Sequence, residues 1–204
     1  MPEYKLIYFN MQGRAELARW CFAYGGIPYI DDRIEGVNWA ERKKEMPGGQ
    51  VPVLMVDGKP LPESLAIARY VAKQAGLVPK DDLEAAGCDA IVDALSGIMA
   101  EVYQKVLMSK AEPAEKQRIM GEEIIPNKIN PFLNRLNERL STREWFISDK
   151  TTWADLMVAY VVGSLSAKLP GLLKDYPSVS KHVQKVESLD SIKKWISTRP
   201  LTPI

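Results

Sequence analysis

The sequence predicts an α/β N-terminal domain followed by an all-helical C-terminal domain. Three observations carry that reading. The hydrophobic period changes within the first turn of the chain, from a strand-like run at Tyr4-Lys5-Leu6-Ile7-Tyr8 to a helical face at Leu17, Trp20, Cys21 and Tyr24. Up to Gly76 the elements alternate in the order β-α-β-α-β-β-α, which argues for a small α/β unit. Beyond Asp82 no convincing strand pattern remains, while long apolar periodicities do.

The elements follow in order. Residues 4–8 are rich in aromatic and branched side chains, as a strand requires, and roughly 14–25 form the first helix, which Gly25-Gly26 stops. Residues 29–34 give a second short strand. Residues 39–45 are polar with a few apolar positions and read as a short irregular helix. Val51 to Val56 is a strand, Asp57-Gly58 is a hairpin turn, and Leu61 lies on the return strand, closed by Pro62. The hairpin makes the sheet mixed. Ser64 is read as the cap of a helix from about Leu65 to Gln74, with Ala68, Val71, Ala72 and Ala75 facing inward. Residues 77–82 carry a proline and charges and read as a linker, which divides the chain into domains at 1–76 and 83–204. In the second domain 83–108 and 114–140 read as long helices, the latter bent by Pro126 and Pro131. Thr152 with Asp155 three residues on forms a capping box before the apolar run Leu156 to Leu165. Pro177-Ser178 and Asp190-Ser191 open two more helices, the last reaching Trp195. Prolines hold the tail from Arg199 extended.

Composition excludes several classes. The chain has 204 residues, 46% hydrophobic and 26% charged, enough for a sizeable core. A net charge of +1 gives no footprint for nucleic acid or an anionic membrane. No apolar run is long enough to span a bilayer, and Met1-Pro2-Glu3-Tyr4-Lys5 does not open a signal peptide. Cys21 and Cys88 form no CxxC, so no metal knuckle or redox pair is expected, and two reduced thiols fit the cytosol. His182, the one histidine, lies among Lys181, Gln184 and Lys185 and is read as a surface residue; with no second histidine, His-dependent metal sites and Ser/His/Asp triads lose support.

The residues able to carry chemistry cluster in the first domain. Tyr8 offers a hydroxyl at a strand end and Arg14 a positive charge at the first helical turn, a pairing suited to a thiolate. A free thiol with a pKa near 8.5 is only about 3% ionised at pH 7. Lowering that pKa by two units requires about 2.7 kcal/mol. One hydrogen bond to a charged group supplies roughly 1.5–3 kcal/mol. Val51-Pro52 opens a strand where proline cannot donate to the ladder; a cis bond would leave the preceding backbone free to pair with a peptide, although trans is the commoner form. Ser64, at a helix N-terminus, suits a carboxylate, and Glu63 an ammonium group. Trp39 and Lys43, four apart on a helix, can hold a second carboxylate. Each residue also has an ordinary structural reading: a half-buried strand tyrosine, a trans proline, a plain cap, an exposed lysine beside a packing tryptophan.

The segments Tyr4-Lys5-Leu6, Tyr8-Phe9-Asn10-Met11, Gly13-Arg14-Ala15-Glu16, Ser64-Leu65-Ala66-Ile67-Ala68-Arg69-Tyr70, Asp89-Ala90-Ile91-Val92-Asp93 and Thr152-Trp153-Ala154-Asp155 together resemble the cytosolic glutathione transferases, more narrowly their sigma class, over essentially the whole chain. The resemblance implies a thioredoxin-like domain that binds glutathione as co-substrate, a helical domain that completes an acceptor pocket, and a homodimer. By position it implies that Tyr8 donates to the glutathione sulfur and Arg14 supports the thiolate. Trp39, Lys43 and Gln50 hold the glycine end. Val51, before a cis Pro52, pairs with the cysteinyl backbone, and Glu63 and Ser64 grip the γ-glutamyl end. Phe9, Gly13, Met99, Gln104, Met157, Val161 and Ile204 are the implied acceptor-pocket lining.

Three departures from the class stand out. Glu63 replaces a usual glutamine and can still pair with an ammonium. Ser96 and Gly97 stand where the prostaglandin D isomerases of the class carry two carboxylates for a divalent ion, so no metal site is expected. Gln104 replaces a pocket tryptophan, which makes that wall more polar. The reading is a transferase that adds the glutathione thiolate to hydrophobic electrophiles. The alternatives are a glutathione-dependent prostaglandin-H2 D-isomerase, a non-catalytic crystallin-like or ligand-binding protein, and a glutaredoxin-like enzyme. The last is disfavoured because Cys21 lies two turns into the first helix on its apolar face.

Overall fold

The computed structural model describes residues 2–202. Strands β1 (Tyr4–Phe9), β2 (Ile30–Ile34), β3 (Val53–Val56) and β4 (Lys59–Pro62) form one sheet in the order β2-β1-β3-β4. β1 pairs parallel with β2 and antiparallel with β3, and β3 with β4, so the sheet is mixed as the hairpin predicts. Central strands lose solvent on both faces. Accordingly Leu6, Ile7, Val53 and Leu54 are all buried.

Helices α1 (Glu16–Gly25) and α3 (Ser64–Gln74) cover one face. Tyr4 of β1 meets Phe22 of α1 and Tyr70 of α3, with ring centroids 5.6 and 6.3 Å apart. α1 starts after a tight turn at 13–15 and stops at Gly26, whose left-handed φ of 60° places its N–H on the last carbonyls. Residues 36–49 form short irregular turns around α2 (Trp39–Arg42), as the polar pattern predicts. Two readings need correction. The strand begins at Val53, after Val51-Pro52, because a proline has no N–H for the ladder. Ser64 is the first residue of α3, not its cap: Glu63, at φ 74°, takes the capping position without a side-chain bond.

The rest of the described chain is helical. α4 (Asp82–Val102) is capped by the Asp81 carboxylate, which accepts the Glu84 N–H at 2.9 Å, and it runs on through wider π-type turns over 103–107. The predicted helix 114–140 is three consecutive pieces: α5 (Pro113–Arg118), a π-type stretch over 119–129 that contains Pro126, and α6 (Asn130–Ser141). A proline inside a helix cannot make the ordinary backbone bond, and the wide turns fall where that bond is missing. α7 (Trp153–Lys168) is buried from Trp153 to Val162, and apart from Asp155 that stretch is apolar on every side, as a central helix is. α8 (Pro177–Glu187) and α9 (Asp190–Thr198) follow.

His182 is not a surface residue. It is 3% exposed; its Nε2 lies 2.8 Å from Asp155 Oδ1, and its ring sits 4.4 Å from that of Phe146. Val179, Val183 and Val186 of the same helix are also buried, so His182 belongs to the i, i+3, i+4, i+7 face of α8 that turns inward. Grouped by compactness, the chain also divides differently from a cut at residues 77–82. Residues up to Val78 form one unit together with those from Val186 on, and Pro79–Lys185 form the other. α9 packs on α1, which carries the end of the chain into the first unit.

Candidate active site

The sheet register brings the first domain's chemistry to one end. Ile7 pairs with Val53, and Val53 with Pro62, so these three residues form one row across β1, β3 and β4. The next residue outward on each strand is Tyr8, Pro52 and Glu63. Phe9 pairs with Ile34, so the segment carrying Trp39 and Lys43 leaves β2 at the same end. Sequence positions more than fifty residues apart thus converge because of register alone.

Tyr8 is buried to 7% exposure. Its Oη accepts the backbone N–H of Arg14 at 3.2 Å. A phenol oxygen that accepts a main-chain N–H keeps its own proton to donate. The turn between them is tight: Gly13 has φ 46°, and a Cβ there would stand 2.7 Å from Tyr8 Oη. Arg14 itself is exposed. The Phe9 ring lies 5.7 Å from Tyr8 and 5.0 Å, edge-on, from Trp39. Lys43 is exposed and its stem passes Gly49, one residue before the exposed Gln50.

The Val51-Pro52 bond is cis, the form that the resemblance implies and that frequency alone disfavours. Glu63 is exposed and holds a left-handed φ of 74°, a conformation that costs energy for a residue with a side chain and that clusters at ligand sites. Its turn starts α3, so Ser64 presents a backbone N–H and hydroxyl in the first helical turn, where an anion is favoured.

The remaining implied positions are distributed as follows. Met99 is half-buried on α4 and Gln104 is exposed in the turns after it. Met157 and Val161 are buried on α7, and Ile204 lies outside the described residues. Ser96 and Gly97 lie on α4, and no group of three or more metal-ligating side chains occurs among the described residues. Both cysteines are free and buried; burial pushes the Cys21 thiol up, and burial also pushes Cys88 up, to about 11 despite a Thr152 hydrogen bond that lowers it. Neither is a nucleophile at neutral pH.

One constellation escapes the sequence reading. Glu16 and Arg19 are charged residues at i and i+3 within α1, yet both side chains are fully buried and ion-paired at 3.1 Å. Their spacing beside the buried Ala15, Ala18 and Trp20 is the available signal.

The profile of the glutathione S-transferase N-terminal domain matches residues 4–73, and that of the C-terminal domain matches residues 99–199. Among similar proteins, the hematopoietic prostaglandin D synthase of Gallus gallus is 39% identical and the probable glutathione S-transferase 6 of Caenorhabditis elegans 36%, each over the full length of both chains. Among solved structures, the monomeric glutathione S-transferase Na-GST-3 of Necator americanus is 36% identical, with a TM-score of 0.91 over 98% of each chain. Rat hematopoietic prostaglandin D synthase complexed with a quinoline is 37% identical, with a TM-score of 0.88 over 98% of this chain and 99% of that one. Sequence and fold agree along the whole chain, which belongs to the glutathione S-transferase family.

Proposed function

We propose that this transferase activates the thiol of glutathione with the Tyr8 hydroxyl and adds the resulting thiolate to hydrophobic electrophiles. The observation that carries the reading is the phenol at the end of β1, oriented by the Arg14 N–H and packed against Gly13. A hydroxyl held in that way donates to an anion without paying for reorientation. Arg14 supplies positive charge nearby. Val51 offers its main chain to the cysteinyl unit beside Pro52, Glu63 and Ser64 take the γ-glutamyl ammonium and carboxylate, and Trp39, Lys43 and Gln50 hold the glycine carboxylate. This fits a sigma-class enzyme of cytosolic detoxification. The buried free thiols support a reducing compartment. We assign it as a homodimer on the family resemblance. The hookworm relative is described as monomeric, so the native mass decides that point.

Tyr8→Phe tests the assignment. It keeps the ring and removes the proton donor, so turnover with a model aryl halide is expected to fall about 10- to 100-fold, with glutathione affinity changed much less. Equal activity in the variant would sink the role of Tyr8. The isomerase reading uses the same thiolate and is favoured by one observation, the 39% identity with a prostaglandin D synthase; the products formed from the endoperoxide separate it from conjugation.

A further inference from the structure

We propose that Glu16 is a positioning residue through which the C-terminal segment holds the Tyr8 turn in its working geometry. The inference rests on the reading of Tyr8 given above.

A carboxylate buried as deeply as that of Glu16 needs strong partners. Glu16 Oε1 accepts from Trp195 Nε1 and from an Arg199 guanidinium N–H, both at 2.8 Å. Glu16 Oε2 accepts from Arg19 at 3.1 Å. Two of its three donors therefore come from the far end of the chain. The Arg19 nitrogen that meets Glu16 also donates to the Met11 carbonyl at 2.8 Å and the Gln12 carbonyl at 3.3 Å. Arg19 Nε is fixed on Asp31 at 3.1 Å, and its guanidinium lies 5.9 Å from the centroid of the Tyr8 ring. Met11 and Gln12 immediately precede Gly13 and Arg14, whose N–H orients the phenol.

The contacts form one line. Arg199 and Trp195 fix Glu16, Glu16 orients Arg19, and Arg19 clamps the carbonyls of the turn that sets the Tyr8 hydroxyl. An ion pair serving stability alone would not need the same guanidinium to hold two turn carbonyls. Glu16 at the first position of α1 also meets the favourable end of the helix dipole, which on its own is a purely structural role. The experiment has to separate the two.

Arg199→Met and Trp195→Phe, alone and combined, loosen the C-terminal end of the line while keeping most of the packing. Arg199→Lys keeps the charge and serves as the rescue. The readouts are the ultraviolet absorbance of enzyme-bound glutathione thiolate against pH, kcat and KM with an aryl halide, and the melting temperature. The thiolate titration is expected to move up by about half to one pH unit, and kcat to fall about three- to tenfold, because the phenol is less well aimed. The KM for glutathione should change less than about twofold, and Arg199→Lys should recover most of the loss. A titration that stays in place while the melting temperature falls overturns the coupling and leaves a structural ion pair. Glu16→Gln, which preserves shape, probes the same coupling with the same readouts should the double variant fold poorly. A wild-type chain that shows no bound thiolate overturns the Tyr8 reading, and the coupling with it. Normal thiolate in the wild type beside unmoved variants overturns the coupling alone.

Discussion

At the scale of single residues, the turn at 8–14 works only because Gly13 lacks a side chain. Its φ of 46° lies in the left-handed region, and an added Cβ would stand 2.7 Å from Tyr8 Oη and 3.1 Å from the ring. Tyr8 is buried, with the Arg19 guanidinium 5.9 Å from its ring centroid, so it cannot simply swing aside. Gly13→Ala is therefore expected to displace the phenol. Turnover should fall more than about tenfold, and stability by about 1–2 kcal/mol from left-handed strain and crowding. Steady-state kinetics and a denaturant titration check both, and unchanged turnover would show that Tyr8 tolerates the shift. The same turn marks what the sequence discloses. A phenol, a glycine and an arginine at a change of period are legible as a possible site. The left-handed Glu63, which demotes Ser64 from cap to first helical residue, is not, because serine is an excellent cap and nothing local reveals the dihedral angle of its neighbour.

At the scale of elements, the start of α7 is the best-specified joint of the helical unit. Asp155 Oδ2 accepts the Thr152 N–H at 2.7 Å and its hydroxyl at 2.6 Å, while Oδ1 accepts the Phe146 N–H at 3.1 Å and meets His182 Nε2 at 2.8 Å. Asp155→Ala leaves two buried backbone donors and the histidine without their acceptor, which is expected to cost about 3–5 kcal/mol. Thr152→Val keeps the shape and loses only hydroxyl bonds, an expected loss of about 1–2 kcal/mol. Urea unfolding of both variants tests the ranking, and equal losses would mean that the box acts only as a helix cap. The Thr152–Asp155 half of this joint is legible because its partners are three residues apart. The His182 half is not: its partner lies 27 residues away, and the neighbouring Lys181 and Lys185 give the local sequence a polar look. The valines at 179, 183 and 186 are the available clue.

At the scale of the whole molecule, hydrophobic periodicity separates strands from helices but is silent on which element a helix packs against. That is why a division at 77–82 does not anticipate α9 joining the first unit, through contacts with α1 set by Trp195 and Arg199. The unit that carries Tyr8, Glu63 and Ser64 is thus built from both ends of the chain, so a ligand bound there stabilises a structure closed by distant segments. A ligand that binds only the native state at about 100 times its Kd adds about 2.7 kcal/mol. For a chain of 204 residues that corresponds to a rise in melting temperature of about 5–10 °C. Under the proposed roles, in which the phenol acts on the sulfur while the backbone of Val51 and the 63–64 turn hold the rest, glutathione should produce this rise in the wild type and in Tyr8→Phe. Glu63→Ala with Ser64→Ala should lose most of it. A wild-type chain with no shift at saturating glutathione would favour a protein that keeps the transferase fold without the co-substrate. A shift that disappears in Tyr8→Phe would instead move the phenol from activation to binding.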